Sequence, residues 1–194
     1  MSDPEPPAIE VKREELHFRR IDMRAWSRSD GLYEVEGRVI DRKPFEFKSP
    51  NGFKVVPAGE PIHDMGVRLV FDAGLQVHEV SAFTSSAPYG GCMEAGRTLQ
   101  VLKGLRMSSG WGSEVRKLLG GAQSCTHLVG LLVPMATTAY QSLTKLRIGQ
   151  PDVLNAAGRP MKLNSCYAYA SHGDVVRRTW PQHYTGDAAV SGES

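Results

Sequence analysis

The stretch GVRLVFDAGLQVHEVSAFTSS, residues 66–86, decides the fold class of this chain. Apolar side chains recur at every second position, at Val67, Leu69 and Phe71, and they resume after an Asp-Ala-Gly sequence. A period of two is typical of a strand with one buried face. Asp and Gly readily adopt the backbone conformations of a tight turn. The stretch therefore predicts a β-hairpin.

Two other segments predict strands. Residues 30–47, DGLYEVEGRVIDRKPFEF, contain β-branched side chains and follow a turn signal, so they predict a strand before the hairpin. Within this segment, acidic residues such as Asp41 are expected to face solvent. Residues 161–170, MKLNSCYAYA, alternate again and predict a late strand, with residues 175–180 as its hairpin partner.

Between the hairpin and the late strand, the pattern changes to that of helices. We predict helices at residues 88–105, from Ser113 to Gly120 and at residues 125–146, and Pro134 marks a kink or a break in the last one. The order of strands, helices and strands predicts an α+β fold. Its expected form is an antiparallel sheet with helices packed on one face, followed by a C-terminal strand or hairpin.

Length and composition are those of an ordinary globular protein. The chain has 194 residues, of which 41% are hydrophobic and 23% are charged, and these values predict one domain. We expect that domain at residues 14–184, between a disordered, proline-rich tail at 1–13 and a flexible tail at 185–194. The apolar runs are far shorter than the roughly 20 residues that cross a bilayer. The acidic, proline-rich N-terminus does not resemble a secretory signal.

Charge and cysteine content narrow the class of partner. The net charge of +2 provides no electrostatic basis for binding nucleic acid or an anionic membrane. Three cysteines without a CxxC pair argue against a disulfide framework and favour the reducing cytoplasm. The expected partner is therefore a small-molecule substrate, with association into a homo-oligomer as an option.

Three short clusters contain residues that can carry chemistry. Cys125 and His127 lie at the predicted start of the long helix, where the helix dipole favours a thiolate. His63 is followed by Asp64, and we expect this carboxylate to orient the imidazole and to raise its pKa. Cys92 lies at the start of an earlier predicted helix. Taken alone, each cluster is more simply explained by ordinary cap, core or surface residues.

If the clusters converge at one edge of the sheet, they form one site. Imidazole, thiolate and carboxylate are ligands of zinc and iron, and the clusters hold more than the three or four that such an ion needs. The candidate metal ligands are Cys92, Cys125, His127, His63 and Asp64. The candidate catalytic residues are His63, Asp64, His127 and Tyr89. Zinc, iron and no metal at all stay open as alternatives.

Two further residues are candidate contacts to a substrate. Arg106 carries a planar guanidinium that can bind a carboxylate or a phenolate. Trp111 can line a pocket for an aromatic ligand. The alternative interpretations are a solvated helix charge for Arg106 and a structural anchor in a turn for Trp111.

The sequence resembles domain-of-unknown-function family 2889 over residues 16–180. The resemblance rests on the motifs EPIHDM at 60–65, SAPYGGC at 86–92 and SCTHL at 124–128, with the segments around them. It implies a small bacterial cytoplasmic protein. It also gives weight to a set of polar residues, namely His63, Asp64, Cys92, Cys125, His127 and Cys166.

The middle of the chain is similar to a second family, the U-type iron–sulfur cluster assembly scaffold. This similarity implies a scaffold-like core, with His63 at the position of the first scaffold cysteine and Asp64 near its aspartate. Cys92 would lie near the second cysteine, and Cys125 and His127 around the His-Cys pair. In this sequence a histidine replaces the first cysteine, and the order of the His-Cys pair is reversed.

From these residues we predict a small catabolic lyase. Elimination or retro-aldol cleavage of a hydroxylated substrate, with an aromatic compound as one option, would release a small fragment such as formaldehyde. His63 or His127 would be the general base, and Asp64 would orient the imidazole. The alternative is a metal- or iron–sulfur-binding accessory protein similar to the scaffold. A third hypothesis is a purely structural or interaction module.

Overall fold

The computed structural model describes residues 11–50, 52 and 54–186, and the chain divides into two compact units, Met1–Lys145 and Leu146–Ser194. The predicted tails at 1–13 and 185–194 therefore lie mostly outside the described residues. Residues 11–13 are exposed and have no regular secondary structure. Among the described helices, we find none that is long and apolar enough to cross a membrane.

The first unit is built on an antiparallel sheet of four strands in the order β1, β2, β5 and β6. The strands are Phe18–Ser27 for β1, Tyr33–Arg42 for β2, Pro61–Phe71 for β5 and Val77–Ser86 for β6. The short strands β3, Phe47–Lys48, and β4, Val55–Val56, lie between β2 and β5 in the sequence and form a separate two-stranded sheet. The predicted hairpin is confirmed as β5 and β6.

The helices of this unit follow the sheet in the sequence. They are α1, Gly91–Glu94, which continues into a 3-10 helix at Ala95–Leu102, then α2, Trp111–Leu119, and a 3-10 turn at Gly121–Gln123. The longest is α3, Thr126–Ser142. A short helix α4, Thr144–Arg147, comes directly after it and contains the boundary between the two units. Antiparallel strands and helices together confirm the predicted α+β class.

The sheet has one apolar face and one charged face. Val39 of β2 is paired with Met65 of β5, and both side chains are buried in the core that the sheet forms with the helices. On the opposite face, charged side chains pair with one another across the strands, as Arg68 does with Glu36 at 2.8 Å. The strand alternation in the sequence therefore positions the helices on the apolar face.

Helix α3 lies close to β2 because a glycine faces it. A Cβ atom at Gly37 would lie 2.9 Å from Met135 Cγ. The helix runs through Pro134 without ending there, so the break is excluded and the kink, the other predicted effect, stays a prediction. Its buried residues are Leu128, Leu131, Leu132, Met135 and Ala139. This packing holds the first turn of α3 over the ends of β2 and β5.

The helix predicted at residues 88–105 forms only in part. Four α-helical residues are followed by eight in a 3-10 helix, and the chain then turns at Gly104, which has a φ of 82°. The segment contains four glycines, and glycine is a poor helix former because it loses the most backbone entropy. The sequence therefore supports a tight, short helix here rather than a long one.

The second unit corrects the predicted late strand. Residues 161–170 form turns and a 3-10 helix at Tyr167–Tyr169, and residues 175–180 fall largely in helix α5, Asp174–Thr179. Asn164 closes the loop locally, because its backbone N–H donates to the Tyr169 carbonyl and its side chain accepts from the Ser171 N–H. The alternating segment at residues 161–170 thus has no partner strand to pair with among the described residues, and the predicted C-terminal hairpin is wrong.

Candidate functional site

Three strands place three polar residues in one row on the apolar face of the sheet. The register pairs Arg19 of β1 with Asp41 of β2, and Asp41 with His63 of β5. The row lies at the end of β2 and the start of β5, and the first turn of α3 brings His127 beside it. Asp41 is therefore buried, with 1% of its side chain exposed, rather than facing solvent as expected.

Arg19 determines the charge of this buried carboxyl group. Its Nε donates to Asp41 Oδ1 at 2.7 Å and its Nη2 to Oδ2 at 2.8 Å, while His17 Nε2 lies 3.1 Å from Oδ1. Burial alone would raise the pKa of Asp41, but the hydrogen bonds and the charge of Arg19 lower it to about 2. Asp41 is thus a carboxylate throughout the neutral pH range.

Two imidazoles in ring contact, tilted by 32° to each other, face the same carboxylate oxygen. His63 Nδ1 lies 3.1 Å and His127 Nε2 lies 3.6 Å from Asp41 Oδ2, and the two ring centroids are 3.8 Å apart. The 3.1 Å contact is too poorly aligned for a hydrogen bond, so His63 Nδ1 is buried without a hydrogen-bond partner among the described residues. One atom from each of the three residues lies within 4.8 Å of the others, so they could hold a metal ion.

The expected effect of Asp64 on His63 is wrong. Neighbouring residues of a strand point to opposite faces, and Asp64 accepts 2.7 and 2.6 Å hydrogen bonds from Arg38 on the charged face. Burial and the nearby His127 lower the pKa of His63, and together they outweigh the opposing effect of Asp41. The carboxylate beside this imidazole is Asp41, from the adjacent strand.

Cys125 caps the start of α3 beside this cluster. Its Sγ lies 3.9 Å from His127 Nδ1 and 3.9 Å from Met65 Sδ. Burial alone would raise the pKa of the Cys125 thiol. His127 and the backbone N–H groups of the first helical turn lower it by more, so the net shift is downward. The direction agrees with the expectation from the helix start.

A cavity of about 640 Å³ opens beside the imidazole pair. The structure brings five residues of the sequence prediction to its wall, namely His63, Tyr89, Cys92, Cys125 and His127. A second cavity, of about 350 Å³, is lined by Arg19 and Asp41 and shares His63, Tyr89 and His127 with the first. The imidazole pair is therefore accessible from two sides.

Other predicted residues lie elsewhere. Trp111 is buried and donates from Nε1 to the Leu132 carbonyl at 2.8 Å, so it anchors α2 in the core. The backbone of Arg106 forms an isolated antiparallel β-bridge with that of Gln76, near the end of the hairpin turn. Neither residue is among those that line the two cavities. Cys166 is exposed and belongs to the second unit.

Sequence reasoning missed Asp41, Arg19 and His17. A signal for Asp41 was present, because it continues the series of alternate residues that contains Val35 and Val39, and those two are buried. A charged residue at a core-facing position of a strand needs a partner and so indicates a buried polar site. No comparable signal identifies Arg19 or His17, since β1 is mostly exposed.

A comparison with protein families supports the first resemblance. The family model described as protein of unknown function, DUF2889, matches residues 17–141, a range that contains the whole cluster. No curated protein and no solved structure matches the chain. The similarity to the U-type scaffold is not confirmed by these comparisons.

Proposed function

The chain belongs to the DUF2889 family, and from the arrangement of Asp41, His63 and His127 beside a cavity we propose that it is a lyase. The reaction is an elimination or retro-aldol cleavage of a small hydroxylated compound, started by removal of a proton. One observation carries this proposal: a buried carboxylate lies 3.1 Å from His63 Nδ1, and the ring of His63 lines a cavity.

His63 is the proposed general base. A carboxylate that faces Nδ1 favours the tautomer with the proton on Nδ1 and leaves the lone pair on Nε2. Alignment of this contact can improve when a substrate is bound, since catalytic hydrogen bonds are often poorly aligned in the free enzyme. Asp41 therefore replaces Asp64 in the role of orienting the imidazole.

In the retro-aldol form of the reaction, His63 Nε2 takes the proton of a substrate hydroxyl group. The C–O bond becomes a carbonyl and the adjacent C–C bond breaks. Its electron pair goes to the neighbouring carbon, which in a retro-aldol substrate carries a carbonyl group that delocalises the charge as an enolate. That carbon then takes a proton, for which His127 and Tyr89 are the proposed donors. The products are a small aldehyde, such as formaldehyde, and the protonated remainder of the substrate.

The size of the cavity supports a small-molecule substrate. Its volume of about 640 Å³ lies within the roughly 300–1,000 Å³ of typical ligand pockets.

We also propose a cytoplasmic location, because all three cysteines are free. The alternative, a metal- or iron–sulfur-binding accessory protein, stays a prediction. Cys92 and Cys125, which line the cavity, are the thiols that it would use.

The test is turnover of a panel of hydroxylated compounds that includes phenolic dimers and hydroxy acids. Released aldehyde and the second product are measured by chromatography for the wild type, His63→Gln and a matched control, His78→Gln. His78 also pairs with an aspartate, Asp72, at 3.0 Å, but on the surface. We expect a loss of about 100-fold or more in His63→Gln and none in the control. Absence of turnover across the panel, or equal rates in all three proteins, would contradict the proposal.

A further inference from the structure

We infer that Asp41, His63 and His127 bind one divalent transition-metal ion of the zinc class. This inference goes beyond the proposed lyase function. Its ligand set differs from the one predicted from the sequence, because the carboxylate is that of Asp41 and no thiol takes part. One potential ligand atom from each residue lies within 4.8 Å of the other two. The three residues come from β2, β5 and α3, which pack together in the core of the first unit.

The distances within the group match those of a coordination shell. Zinc bonds to nitrogen and oxygen are about 2.1 Å long, so two ligands of a tetrahedral ion lie about 3.4 Å apart. His63 Nδ1 and His127 Nε2 lie 3.1 and 3.6 Å from Asp41 Oδ2. These two spacings fall on either side of the tetrahedral value, so each imidazole nitrogen lies at about the distance from Asp41 Oδ2 that two ligands of one ion have.

The unsatisfied nitrogen of His63 is an independent observation for a ligand. His63 Nδ1 is buried and has no hydrogen-bond partner among the described residues, although a carboxylate oxygen is near. Leaving a buried polar atom unpaired is unfavourable, because its hydrogen bond to water is lost without a replacement. A bound ion would accept the Nδ1 lone pair and would lie between this atom and Asp41.

The types of donor determine the class of ion. Two imidazoles and one carboxylate suit zinc, iron, cobalt or nickel, whereas magnesium and calcium require oxygen ligands. Arg19 binds both oxygens of Asp41 and would hold the carboxylate in place from outside the coordination shell. A carboxylate has about four lone-pair sites, so Asp41 can accept from Arg19 and still bind an ion.

Metal binding has a consequence for the proposed lyase, and this step rests on that proposed function. An ion on Nδ1 forces the ring proton of His63 onto Nε2. The Nε2 atom then donates a hydrogen bond and has no lone pair with which to remove a proton. The ion therefore acts as an inhibitor of proton abstraction by His63.

The experiment titrates the full chain, first treated with a chelator, with Zn²⁺ in a calorimeter and with Co²⁺ in a spectrophotometer. We expect one ion per chain, d–d absorption bands of nitrogen- and oxygen-bound cobalt, and no binding of Mg²⁺. His127→Gln and Asp41→Asn should each weaken Zn²⁺ binding at least about tenfold. The surface control Asp72→Asn should leave it unchanged, since Asp72 pairs with His78 just after the last residue of β5, whereas His63 lies near the first.

His127→Gln keeps the test valid if Asp41→Asn fails to fold. His127 is 24% exposed, and its removal leaves the Arg19–Asp41 pair intact. Absence of Zn²⁺ binding in the wild type, or equal affinity in wild type and His127→Gln, would overturn the inference. Because the titration needs no substrate, its failure is distinct from failure of the lyase proposal. Where turnover is found, saturating Zn²⁺ should abolish it.

Discussion

At the residue scale, the properties of the site depend on the neighbours of Asp41. The carboxyl group is buried, and burial alone would favour its neutral form. Arg19, from the adjacent strand, keeps it ionised through two hydrogen bonds. The ionised carboxylate then lies 3.1 Å from His63 Nδ1 and 3.6 Å from His127 Nε2, so the charge at the centre of the cluster depends on Arg19.

We predict that Arg19→Ala destabilises the protein by about 2 kcal/mol, because the substitution leaves a buried carboxylate short of donors. The cost is smaller than for a fully buried pair, since the Arg19 side chain is 46% exposed. The free energy of unfolding in urea measures the effect. Arg20→Ala is the matched control, because Arg20 pairs with Asp22 on the surface, and it should change stability by less than about 0.5 kcal/mol. Equal effects of the two substitutions would argue that the buried Asp41 carboxylate does not depend on the hydrogen bonds from Arg19.

At the scale of elements, the site depends on how closely α3 approaches the sheet. His127 lies in the first turn of α3, while Asp41 and His63 lie on strands. Gly37 allows this approach because it places no side chain between β2 and the helix, where Met135 packs. The spacing of the cluster is thus set by packing near the middle of the helix.

We predict that Gly37→Ala destabilises the protein by about 1–3 kcal/mol, a typical cost of adding a methyl group to a packed core. The new Cβ would lie 2.9 Å from both Met135 Cγ and Met23 Sδ, so side chains must move. Urea unfolding checks this value against Gly112→Ala in α2, where the nearest atom lies at an ordinary 3.5 Å. The control should be neutral or stabilising, since alanine favours helices. A Gly37→Ala protein as stable as the control would show that α3 does not press on β2.

At the scale of the whole molecule, the buried charges make stability depend on pH. The pKa of Asp41 is about 2 in the folded protein, below its ordinary value of 3.8, so its contribution is complete above about pH 4 and lost as pH falls towards 2. The pKa of His63 is lowered below 6.5, so the unfolded chain binds this proton first and stability also falls as pH decreases below about 6.5. Both groups destabilise the fold in acid.

We predict that unfolding free energies in urea decrease from pH 7 to pH 3, with about 1 kcal/mol of the loss due to Asp41. The measurement uses protein treated with a chelator, so that no bound ion contributes. Asp41→Asn should be less stable at pH 7 and should show a smaller loss between pH 4 and pH 3. A wild-type stability that is constant over this range, or an equal slope in the variant, would contradict the prediction.

Local patterns in the sequence determined the elements that depend on neighbouring residues. The β5–β6 hairpin, the α3 helix and the position of Cys125 at its start followed from periodicity and turn residues, because these properties depend on contacts within a few positions. The same reasoning failed for residues 161–170, where alternation occurs without a second strand to pair with. It also failed at residues 88–105, where glycines shorten the helix.

Only the tertiary structure decided which polar residues meet. His63, Cys92, Cys125 and His127 were candidates from the sequence, and the structure places all four at one cavity. The carboxylate beside them had to come from another strand, because the side chain of Asp64 necessarily points away from that of His63. Strand register decides which residue of β2 lies opposite His63, and which residue of β1 lies opposite that one. Register is a long-range property that pairs positions over 20 residues apart. The alternation of β2 marks Asp41 as core-facing, but only the folded chain shows that it meets His63 and Arg19.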